Sequence, residues 1–396
     1  MTLKHTLLAT LLFAAGSMTA AADNFRMKTP RTDFCISVDA GINVTLTWSD
    51  GTRESYLSEG VPYLTSTKTE DVSITTDAYV RNLYLAGNET TLFDAGNLPR
   101  IEVLDLSDND LADVNLQKLT TLESLLINGN RLTALDLTKQ TRLRKLHASG
   151  NELEELTLNM STLTDLWMDG NHLTGTLDLT KQAHLHSLNV AANTQGHLDH
   201  ILLSNASTAK AELDYADVSG NYLFYNSFPT VYDKLNQKTT VINRLDPQHP
   251  YHYTDYFLPN EQYDITDLIR YNAWGTAIAP TVELYRMTKK DDYTISSDNL
   301  LVKGTDYTTV GSYKYTFLTE HPRVFFRVTS DLYPSLALVT EPFAITSDPS
   351  SIKTFTFESE NAGTSYDLQG RSINSPSHLR EATGLYIQNG KKVIIK

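Results

Sequence analysis

An asparagine recurs through the middle of this chain at a step that leaves few folds open. Asn88, Asn109, Asn130, Asn151, Asn171, Asn193 and Asn221 fall in seven similar stretches, VRNLYLAGN, IEVLDLSDNDL, LESLLINGNRL, LRKLHASGNEL, LTDLWMDGNHL, LHSLNVAAN and LDYADVSGNYL. The steps between them are 21, 21, 21, 20, 22 and 28 residues. Asn130 stands among Leu122, Leu125, Ile127, Leu132, Leu135 and Leu137. Apolar residues at that density are buried, and an amide buried with them costs roughly 1–3 kcal/mol if it finds no partner. A partner must therefore recur at the same step. One unit of about 20 residues buries too little to offset the entropy of ordering its own backbone, so the copies must stack and share a core. An Asn side chain has two donors and an acceptor. It can bridge inward-pointing backbone groups of successive coils, which predicts a ladder. Gly87, Gly129, Gly150, Gly170 and Gly220 precede five of these asparagines, as a tight turn at each rung requires.

The pattern L-x-x-L-x-L-x-x-N-x-L resembles the leucine-rich repeat. The resemblance runs from Val80 to about Thr230 and implies a curved solenoid over 80–230. The second half of the units repeats an apolar pair: Val114 and Leu116, Leu135 and Leu137, Leu156 and Leu158, Leu177 and Leu179. Few residues there recur at a helical period, so extended backbone is expected on both sides of each coil.

The segment before the repeats divides in two. Residues 1–22 carry Lys4, an apolar run from Leu7 to Ala15, and the small residues Ala20, Ala21 and Ala22. That is the form of a secretory signal peptide, its apolar run too short to span a membrane. Residues 23–79 contain the alternating stretches FCISV, INVTLTW and DVSITT with an SDGT turn, and predict a small N-terminal β cap. The turn resembles the W-x-D-G-T turns before repeats in Bacteroidetes-type surface proteins. Cys35 is the only cysteine, so no intrachain disulfide can form.

After Thr230 the leucine period stops. Residues 231–259, rich in Pro and Tyr, read as a linker. From 260 to 346 come YDITDLI, TVELYRM, SYKYTFL, RVFFRVT, LALVT and FAIT, short strands that predict an antiparallel sandwich. This segment resembles the immunoglobulin-like domain that follows leucine-rich repeats in bacterial surface proteins, without that domain's cysteine pair and strand Trp. Residues 347–396 form a C-terminal β segment. Its Tyr366, Asp367, Leu368, Gly370, Arg371, Gly384, Leu385, Tyr386, Ile387 and basic end from Lys391 to Lys396 resemble the sorting region of proteins exported by the type IX secretion system. The fold class expected for the whole is mainly β.

With 47 acidic against 33 basic residues, the formal net charge is −14. An acidic chain with no basic run argues against nucleic acid and against anionic lipid as partners, and no later stretch is apolar enough for a membrane span. No G-x-S-x-G, P-loop, H-E-x-x-H or C-x-x-C pattern occurs, so no enzyme and no cofactor are expected. Asp105, Asp108, Asp110 and Asp113 lack the glycine and terminal Glu of a calcium loop. His184, His186, His197 and His200 cluster, but the period makes Leu185 and Leu188 core and leaves these histidines at an edge. No metal is therefore expected. Asn43, Asn88, Asn159 and Asn205 fit N-x-[ST], a weak signal, because Asn88 belongs to the ladder.

The informative surface is the concave sheet. Between the two core positions of each unit stand Tyr84, Asp105, Leu126, His147, Trp167, Asn189 and Asp217. The column before reads Asn82, Val103, Ser124, Lys145, Asp165, Ser187 and Tyr215. The column after reads Ala86, Ser107, Asn128, Ser149, Asp169, Ala191 and Ser219. With strands about 4.8 Å apart, Leu126, His147 and Trp167 form a strip rimmed by Lys145, Asp165 and Asp169, and Tyr84 and Tyr215 are further candidate contacts on the same concave face. Such a strip has the makeup of a recognition patch. The chain resembles bacterial leucine-rich adhesins of the internalin-like group. That resemblance implies a secreted or surface-attached protein that binds a protein partner in adhesion or host interaction. Carbohydrate capture, with Trp167 and Tyr84 stacking on sugar rings, is the alternative.

Overall fold

The computed structural model describes residues 23–204, 213–228, 242–245, 248–271, 277–289, 291–331, 333 and 336–349, together with four strands beyond them. For 242–244 and those last four strands, only the backbone is described. The signal-peptide expectation for 1–22 lies outside the described residues. The protein is mainly β and falls into two compact units. Of the described residues, 23–221 and 242–245 belong to the first, and 222–228 and 248 onward to the second. Among the described residues no helix is long and apolar enough to cross a membrane.

The first unit opens with β1 (Asp23–Lys28), β2 (Asp33–Val38), β3 (Asn43–Trp48), β4 (Arg53–Leu57), β5 (Tyr63–Ser66) and β6 (Asp71–Thr76). Then come β7 (Asn82–Tyr84), β8 (Leu92–Asn97), β9 (Val103–Asp105), β10 (Ser124–Leu126), β11 (Lys145–His147), β12 (Asp165–Trp167), β13 (Gly175–Leu179), β14 (Ser187–Asn189), β15 (Leu198–Leu203), β16 (Tyr215–Asp217) and β17 (Ile242–Arg244). A ten-stranded sheet runs β17-β16-β14-β12-β11-β10-β9-β7-β2-β5. Pairing is parallel from β7 to β17, and β2 joins β7 antiparallel. Leu83, Leu104, Leu125, Leu146, Leu166, Leu188 and Ala216 align across the strands, and all are buried. This is a leucine-rich β-solenoid. β17 lies in the stretch whose composition reads as a linker.

The asparagines hold the coils to one another. Asn130 Nδ2 donates to Ile127 O of its own coil at 3.1 Å and to Leu106 O of the preceding coil at 2.9 Å. Its Oδ1 accepts the Leu111 N–H at 3.0 Å. Asn151 treats Ala148 O, Ile127 O and Leu132 N in the same way, and Asn171 treats Met168 O, Ala148 O and Leu153 N. Asn88 to Asn221 are all buried. Each asparagine serves the coil before it, so the first has no coil to serve. The cap supplies one: Cys35 N–H donates to Asn88 Oδ1 at 2.8 Å, and Asn88 Nδ2 donates to Cys35 O at 2.7 Å.

The residue before each rung is left-handed. Glycine fills that slot at 87, 129, 150, 170 and 220, but Asp108 (φ 54°) and Ala192 (φ 57°) also occupy it. Ala192 gains no compensating side-chain contact with its own backbone there, so it carries the cost of the conformation unaided.

The second halves of the units are extended only in part. β8, β13 and β15 are strands, and β13 pairs with β15. In the coils between, Asn115 and Asp136 accept the backbone N–H two residues on, at 3.1 and 2.9 Å. The same bond is made from within β8 by Asp94 and from within β13 by Asp178, at 3.0 and 2.9 Å. A second amide column appears beside them. Gln140 and Gln182 are buried, and their Nε2 atoms donate to Leu116 O and Met160 O, each at 2.7 Å.

The cap's own sheet runs β4-β3-β6-β1-β8 over Phe25, Met27, Val44, Leu46, Trp48 and Ile74. The second unit contains β18 (Tyr256–Phe257), β19 (Gln262–Asp264), the short α1 (Thr266–Ile269), β20 (Thr281–Arg286), β21 (Tyr307–Val310), β22 (Lys314–Phe317), β23 (His321–Thr329), β24 (Ala337–Val339) and β25 (Phe343–Ile345). One sheet runs β18-β25-β23-β20 with β24 on β23, and another runs β19-β22-β21. Phe257, Phe326 and Phe343 of the first meet Phe317 and Tyr315 of the second, with ring centroids 5.2 Å apart between Phe257 and Phe317. The last strands, β26 (Ser365–Tyr366), β27 (Ser372–Ile373), β28 (Gly384–Gln388) and β29 (Lys391–Ile395), form an antiparallel sheet of order β27-β26-β28-β29.

Two substitutions test the rungs. Asn130→Ala strips the Leu111 N–H of its partner and takes one of the donors from each of two carbonyls, and is expected to cost about 2–4 kcal/mol. Arg131→Ala, which removes only an exposed ion pair with Asp110, should cost under about 1 kcal/mol. Equal melting temperatures for the two variants would reject the ladder. Ala192→Gly should stabilise the chain by roughly 0.5–1 kcal/mol, the left-handed cost less the added unfolded-state entropy, read as a rise in melting temperature.

Candidate functional site

Register builds the concave face. Because β9, β10, β11, β12, β14 and β16 pair in parallel with no slip, Leu126 stands beside His147, His147 beside Trp167, and Trp167 beside Asn189. Lys145 stands beside Asp165, and Ser187 beside Tyr215. Tyr84 is two strands from Leu126, with Asp105 between them. That is roughly 9.6 Å at the usual strand spacing, so Tyr84 is not part of the same strip.

The rings do more than share a column. His147 and Trp167 stack at 4.7 Å with 15° between planes. Trp167 and Tyr215 face each other at 6.1 Å and 27°. The indole leans across the sheet because its Nε1–H donates to Ser187 Oγ at 2.9 Å. The run is therefore His147, Trp167, Tyr215, crossing from the middle column to the first. Ser187 is the residue that sequence reasoning passed over. It stood in the right column, but a short polar side chain there carries no signal of its own. Trp167 remains 37% exposed and Tyr84 40%.

Polar residues brace this run. Asp169 Oδ1 accepts the Asn189 Nδ2–H at 2.9 Å and the Ser149 hydroxyl. Asp165 accepts the Thr164 hydroxyl at 2.7 Å. Asp105 turns back to accept the Ser107 N–H at 2.9 Å. Burial, and next the Lys145 ammonium, hold the His147 imidazole below its ordinary range, against the opposing pull of Asp165 and Asp169. The neutral ring is thus favoured in the stack.

A hollow of about 240 Å³ adjoins Tyr84, lined by Ser37, Val38, Asp39, Ala40, Gly60, Asn82 and Tyr84. Asp39 is occupied there by the N–H groups of Arg81 and Asn82, at 2.6 and 3.0 Å, and by the Asn82 side chain. These bonds, that of the Asn82 side chain foremost, outweigh the burial that would raise its pKa and leave the carboxyl below the usual range.

The histidines read together in sequence are not brought together. His184 sits in a turn before β14, His186 lies 3.4 Å from Asp214, and His200, on β15, lies 2.8 Å from Asp199. Asp108 fills a left-handed turn position and Asp110 pairs with Arg131. Among the described residues no group of three or more His, Cys, Asp or Glu is arranged to hold a metal ion.

A pH titration tests the His147 environment. A depressed imidazole pKa contributes stability that is fully present above the unfolded value of 6.5 and is lost as pH falls from there toward the folded value. His321 in the second unit is shifted the same way, first by its own burial. The His147→Gln variant should therefore lose less stability than the parent between neutral pH and about pH 5, as measured by denaturant midpoint. Parallel curves would remove the burial argument.

No family model matches the chain, and no curated protein matches it. Among solved structures, it is similar to the functional domain of InlJ from Listeria monocytogenes, which includes a cysteine ladder. Identity is 14%, 68% of each chain is covered, and the TM-score is 0.33. It is also similar to the internalin InlF from Listeria monocytogenes strain 4b F2365, at 20% identity and a TM-score of 0.27. That match covers 36% of this chain and 49% of the other, so it spans about half of that protein's length.

Proposed function

We propose that this chain is a secreted or cell-surface recognition protein that binds a protein partner through the concave face of its repeats, in adhesion or host interaction. The observation that carries the proposal is the stacked run His147, Trp167, Tyr215, beside Leu126, on a sheet whose register is fixed strand by strand. A large aromatic side chain left partly exposed, held by a hydrogen bond and bordered by charge, has the form of an interface anchor. The contact surface proposed consists of Leu126, Lys145, His147, Asp165, Trp167, Asp169 and Tyr215, with Tyr84 as a separate outlying contact.

The stacking favours a polypeptide over a glycan. One face of Trp167 is covered by His147, and the other is turned toward Tyr215. Little ring face is left for a sugar. The two packed sheets of the second unit serve in this reading as an immunoglobulin-like spacer, and the C-terminal strands as a sorting region for export.

The double variant Trp167→Ala and Leu126→Ala should bind partners at least about 100-fold more weakly, the combined effect of two anchors worth about 1–2 kcal/mol or more each. Its melting temperature should stay close to the parent's, because both side chains lie outside the core. The check is a pull-down of surface proteins with each chain, followed by affinity measurement on what the parent retains. Equal retention by the double variant would move the site off this strip.

A further inference from the structure

The chemistry of the partner can be narrowed, on the reading that the concave strip is the contact face. Asp165, Trp167 and Asp169 alternate along one strand and its exit, so they share a face at roughly 6.6–6.8 Å intervals. Three of the donors around them are committed within the strip. The Trp167 N–H goes to Ser187, and both Ser149 and Asn189 donate to Asp169. Each carboxylate has about four lone-pair sites, far more than these bonds use. What faces solvent at the centre of the strip is an apolar ring edge between two groups that only accept. Lys145, in register beside Asp165, is the one cationic side chain of the strip, and Asp105 adds a further acidic group on the same column as Leu126.

A sugar hydroxyl both donates and accepts, whereas Lys and Arg side chains donate only. A surface whose carboxylates Asp105, Asp165 and Asp169 outnumber its one ammonium, Lys145, therefore complements a cationic partner. An extended peptide repeats the strand interval, placing side chains i, i+2 and i+4 at the spacing of Asp165, Trp167 and Asp169. We propose that the strip receives an extended polypeptide segment with basic side chains on either side of an apolar one. The apolar side chain covers the edges of the His147–Trp167 stack beside Leu126, and the basic groups reach Asp165 and Asp169.

The test uses the full chain labelled with 5-fluorotryptophan, the Trp167 resonance being assigned by its loss in Trp167→Phe. Three probes are titrated: a peptide Ser-Arg-Thr-Leu-Thr-Arg-Ser, the same peptide with Glu in place of both Arg, and a linear glucose hexasaccharide. The basic peptide should shift the Trp167 resonance with an affinity at least about tenfold above that of the acidic one. Asp165→Asn together with Asp169→Asn should bring the two peptides to the same affinity without moving the melting temperature by more than a few degrees. Equal shifts by both peptides in the parent chain would overturn the basic partner and leave the strip as a contact face. A shift by the hexasaccharide alone would overturn the polypeptide. If no probe moves the resonance, the strip fails as a contact face, and the broader reading fails with it.

Discussion

A buried amide that must be paired on two coils at once sets the terms for this molecule. Each asparagine takes up a carbonyl and an N–H left over by the coil before it, so no coil is complete without its successor. This makes the start of the array special. At the start, Cys35 in β2 offers Asn88 the backbone pair that a preceding coil would have offered. That is the physical reason an antiparallel cap strand can extend a parallel sheet. The same demand explains the second column, where Gln140 and Gln182 serve turns on the other side of the coil. The repeated LTKQ of Leu137–Gln140 and Leu179–Gln182 carried that signal in the sequence.

What could be read in advance follows from which constraints are periodic. The rung positions, the inward leucine column and the membership of the three concave columns all derive from a fixed step combined with strand alternation, and the sequence displays both. β17 escaped because the step before it is irregular and its neighbourhood is rich in Pro and Tyr rather than Leu. The convex strands were read too generously. An apolar pair separated by one residue looks extended, yet the stretches around Asn115 and Asp136 form no strand, although they make the same side-chain turn that Asp94 and Asp178 make from within β8 and β13. The left-handed slot before each rung was inferred from glycine alone, and Asp108 and Ala192 show that geometry holds the slot even where the residue is unsuited to it.

The candidate site was legible as a set of columns but not as an arrangement of rings. In-register parallel strands place like positions about 4.8 Å apart, close to the 4.7 Å separation of the His147 and Trp167 rings. Register alone thus brings those two into contact. The next residue in the column is Asn189, which offers no ring. Trp167 then tilts toward the first column, where Ser187 takes its N–H and Tyr215 faces it. Side-chain orientation of this kind depends on a neighbour in another column and on a hydrogen bond, neither of which has a period.

Rigidity is the functional consequence. A side chain immobilised on binding costs about 0.5–1.5 kcal/mol of ordering. Trp167 is already ordered by a stack, a hydrogen bond and a strand pinned on both edges by neighbouring coils. The ladder that makes the coils interdependent also fixes the spacing of the strands, and with it the spacing of whatever they present. Stability and recognition therefore draw on the same register. A loss of pairing at Asn151 or Asn171, the rungs of β11 and β12, would loosen the ring stack before it unfolded the chain, although neither amide reaches the concave surface.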